Sequence, residues 1–343
     1  MAVQERQGPP PDPTAIFEAA RGYQLSYILR AAVELDVFTA IAKGSRTAAE
    51  LAKACQASER GIRILCDSLT VMGLLDKHGN AYSLKPDAAF FLDRRSPAYL
   101  GGAFKFLLHP RNVENMRTLA ETVRRGGAAG TDAAFAPDDP IWVDFARGMA
   151  PLMRPAAQAI AKILQPALAG KAAPKVLDIA AGHGTFGITV AQQIPGAQIY
   201  ALDWANVLAV ATENAQAHGV GDRHHVLPGS AFEVDFGSGY DAALVTNFLH
   251  HFDPATNESL LRRIHHAMNP GGQLIILEFV PNEDRVSPPT PAIFSVTMLS
   301  NTLSGDAYTF PELEKMCANS GFEGARLIAL SPMPQTLVVA RKG

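Results

Sequence analysis

Apolar and polar positions follow two different rhythms along this chain. From Thr14 to about Leu108 the apolar residues fall at helical spacing, with Ile16, Ala20, Tyr23, Tyr27 and Ala31 on one face and Ile62, Leu65, Leu69 and Met72 on another. Leu35-Asp36-Val37-Phe38 leads into a further helix, Thr47-Ala48-Ala49-Glu50 reads as a capping box, and Ser58 opens the next helix. Leu74 to Leu84 then alternates about a Gly79-Asn80 turn, which predicts a hairpin. Helices followed by a hairpin predict a winged helix. From Val176 onward the pattern changes to short apolar runs (Val176–Ile179, Gln198–Leu202, Tyr240–Val245, Leu274–Leu277) separated by helical segments such as Ile188–Gln193 and Glu258–Met268. That alternation predicts a mostly parallel sheet covered by helices on both faces.

Between the two regions, 109–170 carries a glycine-rich loop at Gly126-Gly127-Ala128-Ala129-Gly130 and a helix from Ile141 to Leu164 that runs past Pro151 and Pro155. Phe145, Met149 and Met153 recur every four residues on it, a stripe that reads first as core.

The first apolar run ends in Asp178, followed by Ile179-Ala180-Ala181-Gly182-His183-Gly184-Thr185-Phe186-Gly187. Glycines there let the backbone turn at positive φ and approach a ligand closely, and the following helix offers unpaired N–H groups. The spacing fits G-x-G-x-x-G, the fingerprint of a dinucleotide. It fits equally a nucleoside pocket in which the strand's terminal acid lies near an ammonium group. Asp203 ends the second run about 25 residues later, where ribose hydroxyls are held in either case. It is also placed to cap the next helix.

Further along, Asn269-Pro270-Gly271-Gly272 precedes the apolar strand Leu274–Leu277. With the acid–glycine turn, this resembles the motifs of class I S-adenosylmethionine (SAM) methyltransferases in their usual order. Leu249-His250-His251-Phe252-Asp253 resembles the L-H-D-W-x-D block of plant-type O-methyltransferases and their bacterial relatives in natural-product pathways. The resemblance covers most of the chain. It implies a Rossmann-like SAM-binding domain over 171–343, a winged-helix dimerisation domain over 14–108, a helical substrate cap over 109–170, and a disordered tail over 1–13. In that family the dimerisation helices clasp a partner subunit and wall its substrate pocket, so a homodimer is implied.

Residue by residue, the resemblance places the donor against Asp178, Ala180, Gly182, Gly184, Asp203, Trp204, Gly229, Ser230, Phe232 and Asn247, and makes S-adenosylhomocysteine the product. His250 becomes the general base for a phenol, whose pKa near 10 leaves it mostly un-ionised at neutral pH. Glu278, closing the run Leu274–Leu277, becomes the carboxylate that orients it. Phe145, Met149, Met153, His251, Phe294, Met298, Asn301 and Asp306 are the candidates for lining the acceptor site.

Three departures from the family stand out. The Asp and Trp of the L-H-D-W block are His251 and Phe252 here. The family's Glu-Arg-Thr falls on Ala307-Tyr308-Thr309, so its second carboxylate is missing, with Asp306 one residue away. The family's Gly-Asp-x-Phe reads Gly229-Ser230-Ala231-Phe232, which implies a neutral contact with the adenine. These departures leave C-methylation, or a SAM-binding homologue with other chemistry, open beside transfer to a hydroxyl of a small aromatic or polyketide-like compound.

Composition adds exclusions. Of 343 residues 48% are hydrophobic and 18% charged, with a formal net charge of −3, which gives no electrostatic footprint for nucleic acid. Arg60 and Arg63 on the helix that would enter a groove are balanced by Glu59 and Asp67, which weighs against a ligand-sensing regulator that uses the winged helix on DNA. Cys55, Cys66 and Cys317 lack metal-ligand spacing and read as reduced packing residues in a cytoplasmic protein. No apolar run reaches membrane-spanning length. Neighbouring histidines at 224–225, 250–251 and 265–266 point in different directions on a strand or a helix, so no metal site is expected.

Overall fold

The computed structural model of the chain describes residues 11–129 and 139–343. The expected tail lies outside these up to residue 10, as does Gly130 of the expected loop. The chain forms two compact units, divided between Phe104 and Lys105.

The first unit contains α1 (Thr14–Glu34), α2 (Val37–Ala42), α3 (Ala48–Ala54), α4 (Glu59–Val71), the hairpin β1 (Leu75–His78) and β2 (Ala81–Leu84), and α5 (Pro86–Phe91). Thr47 and Glu50 close the capping box, and the Ser58 hydroxyl accepts the Gly61 N–H. Phe38, Leu51, Ile62, Leu69, Leu75 and Tyr82 form the core. A bridge between Thr47 and Ala81 adds a third strand position to the hairpin, as a winged helix requires. The face of α1 that carries Ile16 and Tyr23 is exposed (72% and 63%).

A short helix α6 (Ala103–Leu107) spans the division. The second unit continues with α7 (Pro110–Arg117), α8 (Leu119–Arg125) and α9 (Ile141–Leu168), then β3 (Lys175–Ile179), α10 (Thr185–Gln193), β4 (Gln198–Asp203), α11 (Ala205–Ala217), β5 (His224–Pro228), β6 (Tyr240–Thr246), α12 (Pro254–Ala267), β7 (Met268–Glu278), α13 (Pro289–Asn301), α14 (Phe310–Asn319), β8 (Phe322–Ala329) and β9 (Thr336–Lys342). The seven strands pair in the order β5-β4-β3-β6-β7-β9-β8, and β9 alone runs antiparallel to its neighbours. Because β3 pairs with β4 on one side and β6 on the other, the chain reverses direction across the sheet there. The carboxyl ends of the strands at that reversal are the usual place for a ligand in such sheets.

Several elements start earlier or run longer than their apolar pattern predicts. Gly184, at φ 73°, ends the glycine turn, so α10 begins at Thr185 and not at Ile188. Asp253 caps α12 by accepting the Thr256 N–H, and Pro254 fits the first helical position, so that helix precedes Glu258 by a turn. Helix α9 extends to Leu168 with Pro151, Pro155 and Pro166 inside it. Pro155 and Pro166 lie on its exposed face, where water can satisfy the carbonyls that lose an N–H partner. Its other face packs Ile160, Ala161 and Leu164 on the sheet with α10, while α12 and α14 cover the opposite side through Leu260, Ile264, Leu313 and Met316.

Candidate functional site

The glycine turn after β3 is built from left-handed residues: Ala180 (φ 53°), Gly182 (58°) and Gly184 (73°). Two carboxylates fasten it. Asp178 is wholly buried and accepts the Gly187 N–H through Oδ2 at 3.1 Å. Its Oδ1 has no partner among the described residues, and burial pushes its carboxyl up to about 7. With no accessible surface, Asp178 reaches a ligand only through the loop that it holds. Asp203, at the end of β4, accepts the Gly182 N–H (2.8 Å) and the Trp204 N–H (2.7 Å), and burial pushes it up to about 6. His183 completes the turn: its Nδ1 accepts the Thr185 N–H, its carbonyl accepts from Asn214, and burial lowers its pKa to about 4.

Around this turn Gly229 donates its N–H to the Asp203 carbonyl, and the Ser230 hydroxyl accepts the Phe232 N–H. Phe232 packs edge-on against Phe252, and Trp204 joins Trp142 and Val143 against Ala146, Val207 and Val210. Past the end of β6, Asn247 takes φ 51°, a strained value for a residue with a side chain. Its Nδ2 lies 3.7 Å from Met153 Sδ, and its buried Oδ1 has no partner among the described residues.

The next residues form a single tight turn, Leu249–His251. Glu278, from the end of β7, organises it with both oxygens. Oε1 accepts the N–H groups of Phe248 (2.9 Å) and Leu249 (2.8 Å), and Oε2 stands 2.5 Å from His250 Nδ1. The pair is buried, at 5% and 2% exposure. A carboxylate can only accept, so Nδ1 carries a proton, and in the neutral ring the lone pair then lies on Nε2. Phe294 stands edge-on to the His250 ring at 4.9 Å and stacks on Phe279 at 4.0 Å. His251 lies against His250, 4.4 Å between ring centres, and burial holds its pKa well below the ordinary value, so it is a neutral neighbour. Trp142 meets both His251 and Phe145 edge-on at 6.3 Å, and Phe145 meets Phe106 at 4.8 Å.

The structure therefore brings His250, Glu278, His251 and Phe294 together, joins Met153 to Asn247, and ties Phe145 to the cluster through Trp142. Met149 packs on the cluster under α9 and the sheet. Met298 is buried, with its carbonyl accepting from Thr302, and Asn301 bonds Asn115 across to α7. Asp306 pairs with Arg285 at 3.2 Å and with its own neighbour's N–H, so it does not stand in for the missing carboxylate at His250. Ala307 is wholly buried. Trp142, Phe248 and Phe279 belong to the cluster and were not foreseen. Trp142 was within reach of sequence reasoning, since it precedes Phe145 by one helical turn.

The site fits a nucleoside-bearing methyl donor on its own geometry. A side chain at Gly182 would meet nothing closer than the Ala180 carbonyl at 3.8 Å, so the turn is open on that side. Asp203 lies beside it, and Asn247 Oδ1 is a buried acceptor in need of a donor. No group of three or more metal-binding side chains occurs among the described residues.

This sheet order and this turn define the Rossmann-like methyltransferase class. Family comparison refines that. The profile of the O-methyltransferase domain matches residues 133–323, and that of the O-methyltransferase dimerisation domain matches 17–94. The chain belongs to the SAM-dependent O-methyltransferase family, which rejects the dinucleotide reading of the glycine turn and makes the winged helix a dimerisation domain. A crystal structure from Nostoc punctiforme assigned to the O-methyltransferases superimposes with a TM-score of 0.92 at 47% identity, covering 97% of this chain and 100% of the other. The tetracenomycin polyketide synthesis 8-O-methyltransferase of Streptomyces glaucescens is 28% identical over 96% of this chain and 97% of its own. The 3-hydroxy-5-methyl-1-naphthoate 3-O-methyltransferase of Streptomyces sahachiroi is 27% identical over 99% of both. Among the described residues, no helix is long and apolar enough to cross a membrane.

Proposed function

We propose that the protein methylates a hydroxyl of a small aromatic or polyketide-like metabolite, with His250 as general base. The observation that carries this is the buried Glu278–His250 pair, which fixes one imidazole nitrogen and leaves the other as an acceptor. Bound at the carboxyl ends of the strands, SAM supplies an electrophilic methyl carbon. Asp203 accepts the ribose hydroxyls, and the left-handed turn Ala180–Gly184, held by Asp178, lets the backbone approach the donor. Asn247, at φ 51° past the end of β6, shapes the backbone beside the donor. Gly229, Ser230 and Phe232 flank the adenine without a charge, and Trp204 covers its edge.

The chain's own chemistry at the acceptor is a proton transfer. His250 Nε2 takes the hydroxyl proton as the oxygen attacks, and Glu278 Oε2 stabilises the imidazolium that results. Phe294, His251, Phe145, Met149 and Met153 shape an apolar slot that excludes water and favours a planar ring, with Met298, Asn301 and Asp306 at its outer side. Helices α7 to α9 cap this slot. The exposed apolar face of α1 supports a homodimer through the first unit, and three unpaired thiols accord with a cytoplasmic setting. The acceptor class draws on the two Streptomyces relatives, whose names specify tetracenomycin polyketide synthesis and a hydroxynaphthoate.

The test is His250→Ala, assayed with hydroxynaphthoates and labelled SAM. Turnover falls by about 100-fold or more, the usual contribution of a positioned base, while calorimetric affinity for S-adenosylhomocysteine stays within about two-fold. Turnover that survives the substitution rejects His250 as the base.

A further inference from the structure

The turn that carries His250 is gripped on its carbonyl side as well as its N–H side. Asn257, wholly buried on α12, donates Nδ2 to the carbonyls of Leu249 (2.9 Å) and Phe252 (3.2 Å). Tyr308, buried ahead of α14, donates its hydroxyl to the same Phe252 carbonyl at 2.5 Å. One carbonyl thus receives two side-chain donors from two separate elements. Between them, Gly305 packs so closely on the His250 carbonyl that a Cβ there would overlap it. All of these groups act on the backbone of the turn.

We propose that Tyr308 and Asn257 are positioning residues for methyl transfer, holding the Phe252 carbonyl so that the His250 ring stays registered on Glu278. Tyr308 stands one residue after Ala307, where the family's second carboxylate is absent. The turn here is secured through its main chain where a second acid would have secured the imidazole directly. Glu278 then holds the ring with one oxygen while the other keeps the N–H groups of the turn. Burial and the nearby carboxylates of Asp306, Asp253, Glu312 and Glu278 keep the Tyr308 phenol protonated, so it remains a donor. The inference rests on His250 being the base that Glu278 orients.

The test reads the tautomer of His250 by ring-nitrogen NMR on histidine-labelled protein saturated with S-adenosylhomocysteine, the resonance being identified by its loss in His250→Gln. In the wild type Nδ1 carries the proton at neutral pH. In Tyr308→Phe, which keeps the buried ring, the Nδ1 and Nε2 shifts move toward each other as the loosened ring samples both tautomers, and Asn257→Ser moves them the same way. A purely structural role lowers the melting temperature of these variants but leaves the tautomer unchanged, and that result overturns the proposal. Should one variant fail to fold, the other decides. A wild-type His250 without a proton on Nδ1 instead removes the underlying reading of the Glu278–His250 pair.

Discussion

At the scale of single residues, the two acids at the glycine turn carry opposite consequences for ligand and fold. Asp203 is raised to about 6 by burial, so its carboxylate is charged above that pH and neutralised below it. Affinity for S-adenosylhomocysteine should therefore weaken as pH falls through about 6, and Asp203→Ala should lose it at neutral pH; a pH-independent calorimetric affinity contradicts the assignment. Asp178, raised to about 7, holds its proton in the folded state over a range where the unfolded chain has released it. Its contribution to stability thus falls as pH rises from about 4 to about 7 and levels above that. Asp178→Asn keeps an acceptor for the Gly187 N–H but does not titrate. The melting temperature of the variant relative to the wild type should climb across that window, whereas parallel curves refute the burial argument. Asp203 and Glu278 stand out in the sequence because each closes an apolar run whose direction is fixed by the sheet, and His250 because the block Leu249–Asp253 resembles its family counterpart. Asn257 and Tyr308 do not. Their partner is a main-chain carbonyl brought near only by the packing of α12 and the segment before α14, and nothing in local spacing signals it.

Elements account for how the site is held in place. Helix α10 lies against β4 at Gly187, where a Cβ would stand 2.5 Å from Ile199 Cγ2 and 2.9 Å from Asp178 Oδ2. Gly187→Ala should destabilise the fold by about 1–3 kcal/mol, the usual cost of overpacking, as read by denaturant unfolding; a neutral result means that the helix can shift away from the strand without cost. The alternation of apolar runs with helical segments was enough to read the four neighbouring strands β4, β3, β6 and β7, since parallel strands buried on both faces read as apolar runs; it left β5, β8 and β9 unread. It could not place helix starts, because Asp253 and Gly184 decide them by capping and by backbone conformation. The stripe Phe145, Met149 and Met153 illustrates the remaining gap. Helical spacing says that one face of α9 is apolar, but only the fold shows Met153 against Asn247 and Phe145 beside Trp142.

For the whole molecule, α1 leaves apolar side chains unburied in a single copy, with Ile16 at 72%, Phe17 at 55% and Tyr23 at 63% exposure. Most of α1 falls in the stretch that matches the O-methyltransferase dimerisation domain, which makes this patch the candidate contact for a second copy. Phe17→Asp combined with Tyr23→Asp should convert the dimer to monomer in sedimentation velocity, and an unchanged dimer places the interface elsewhere. The most direct test of the central claim compares wild type with His250→Gln on a series of phenols of graded acidity, by single-turnover transfer from labelled SAM. If His250 Nε2 removes the acceptor's proton, the variant is slower by about 100-fold on a phenol with pKa near 10. That deficit shrinks toward none for phenols already ionised at the assay pH. A deficit that stays the same across the series would mean that His250 shapes the site without serving as its base.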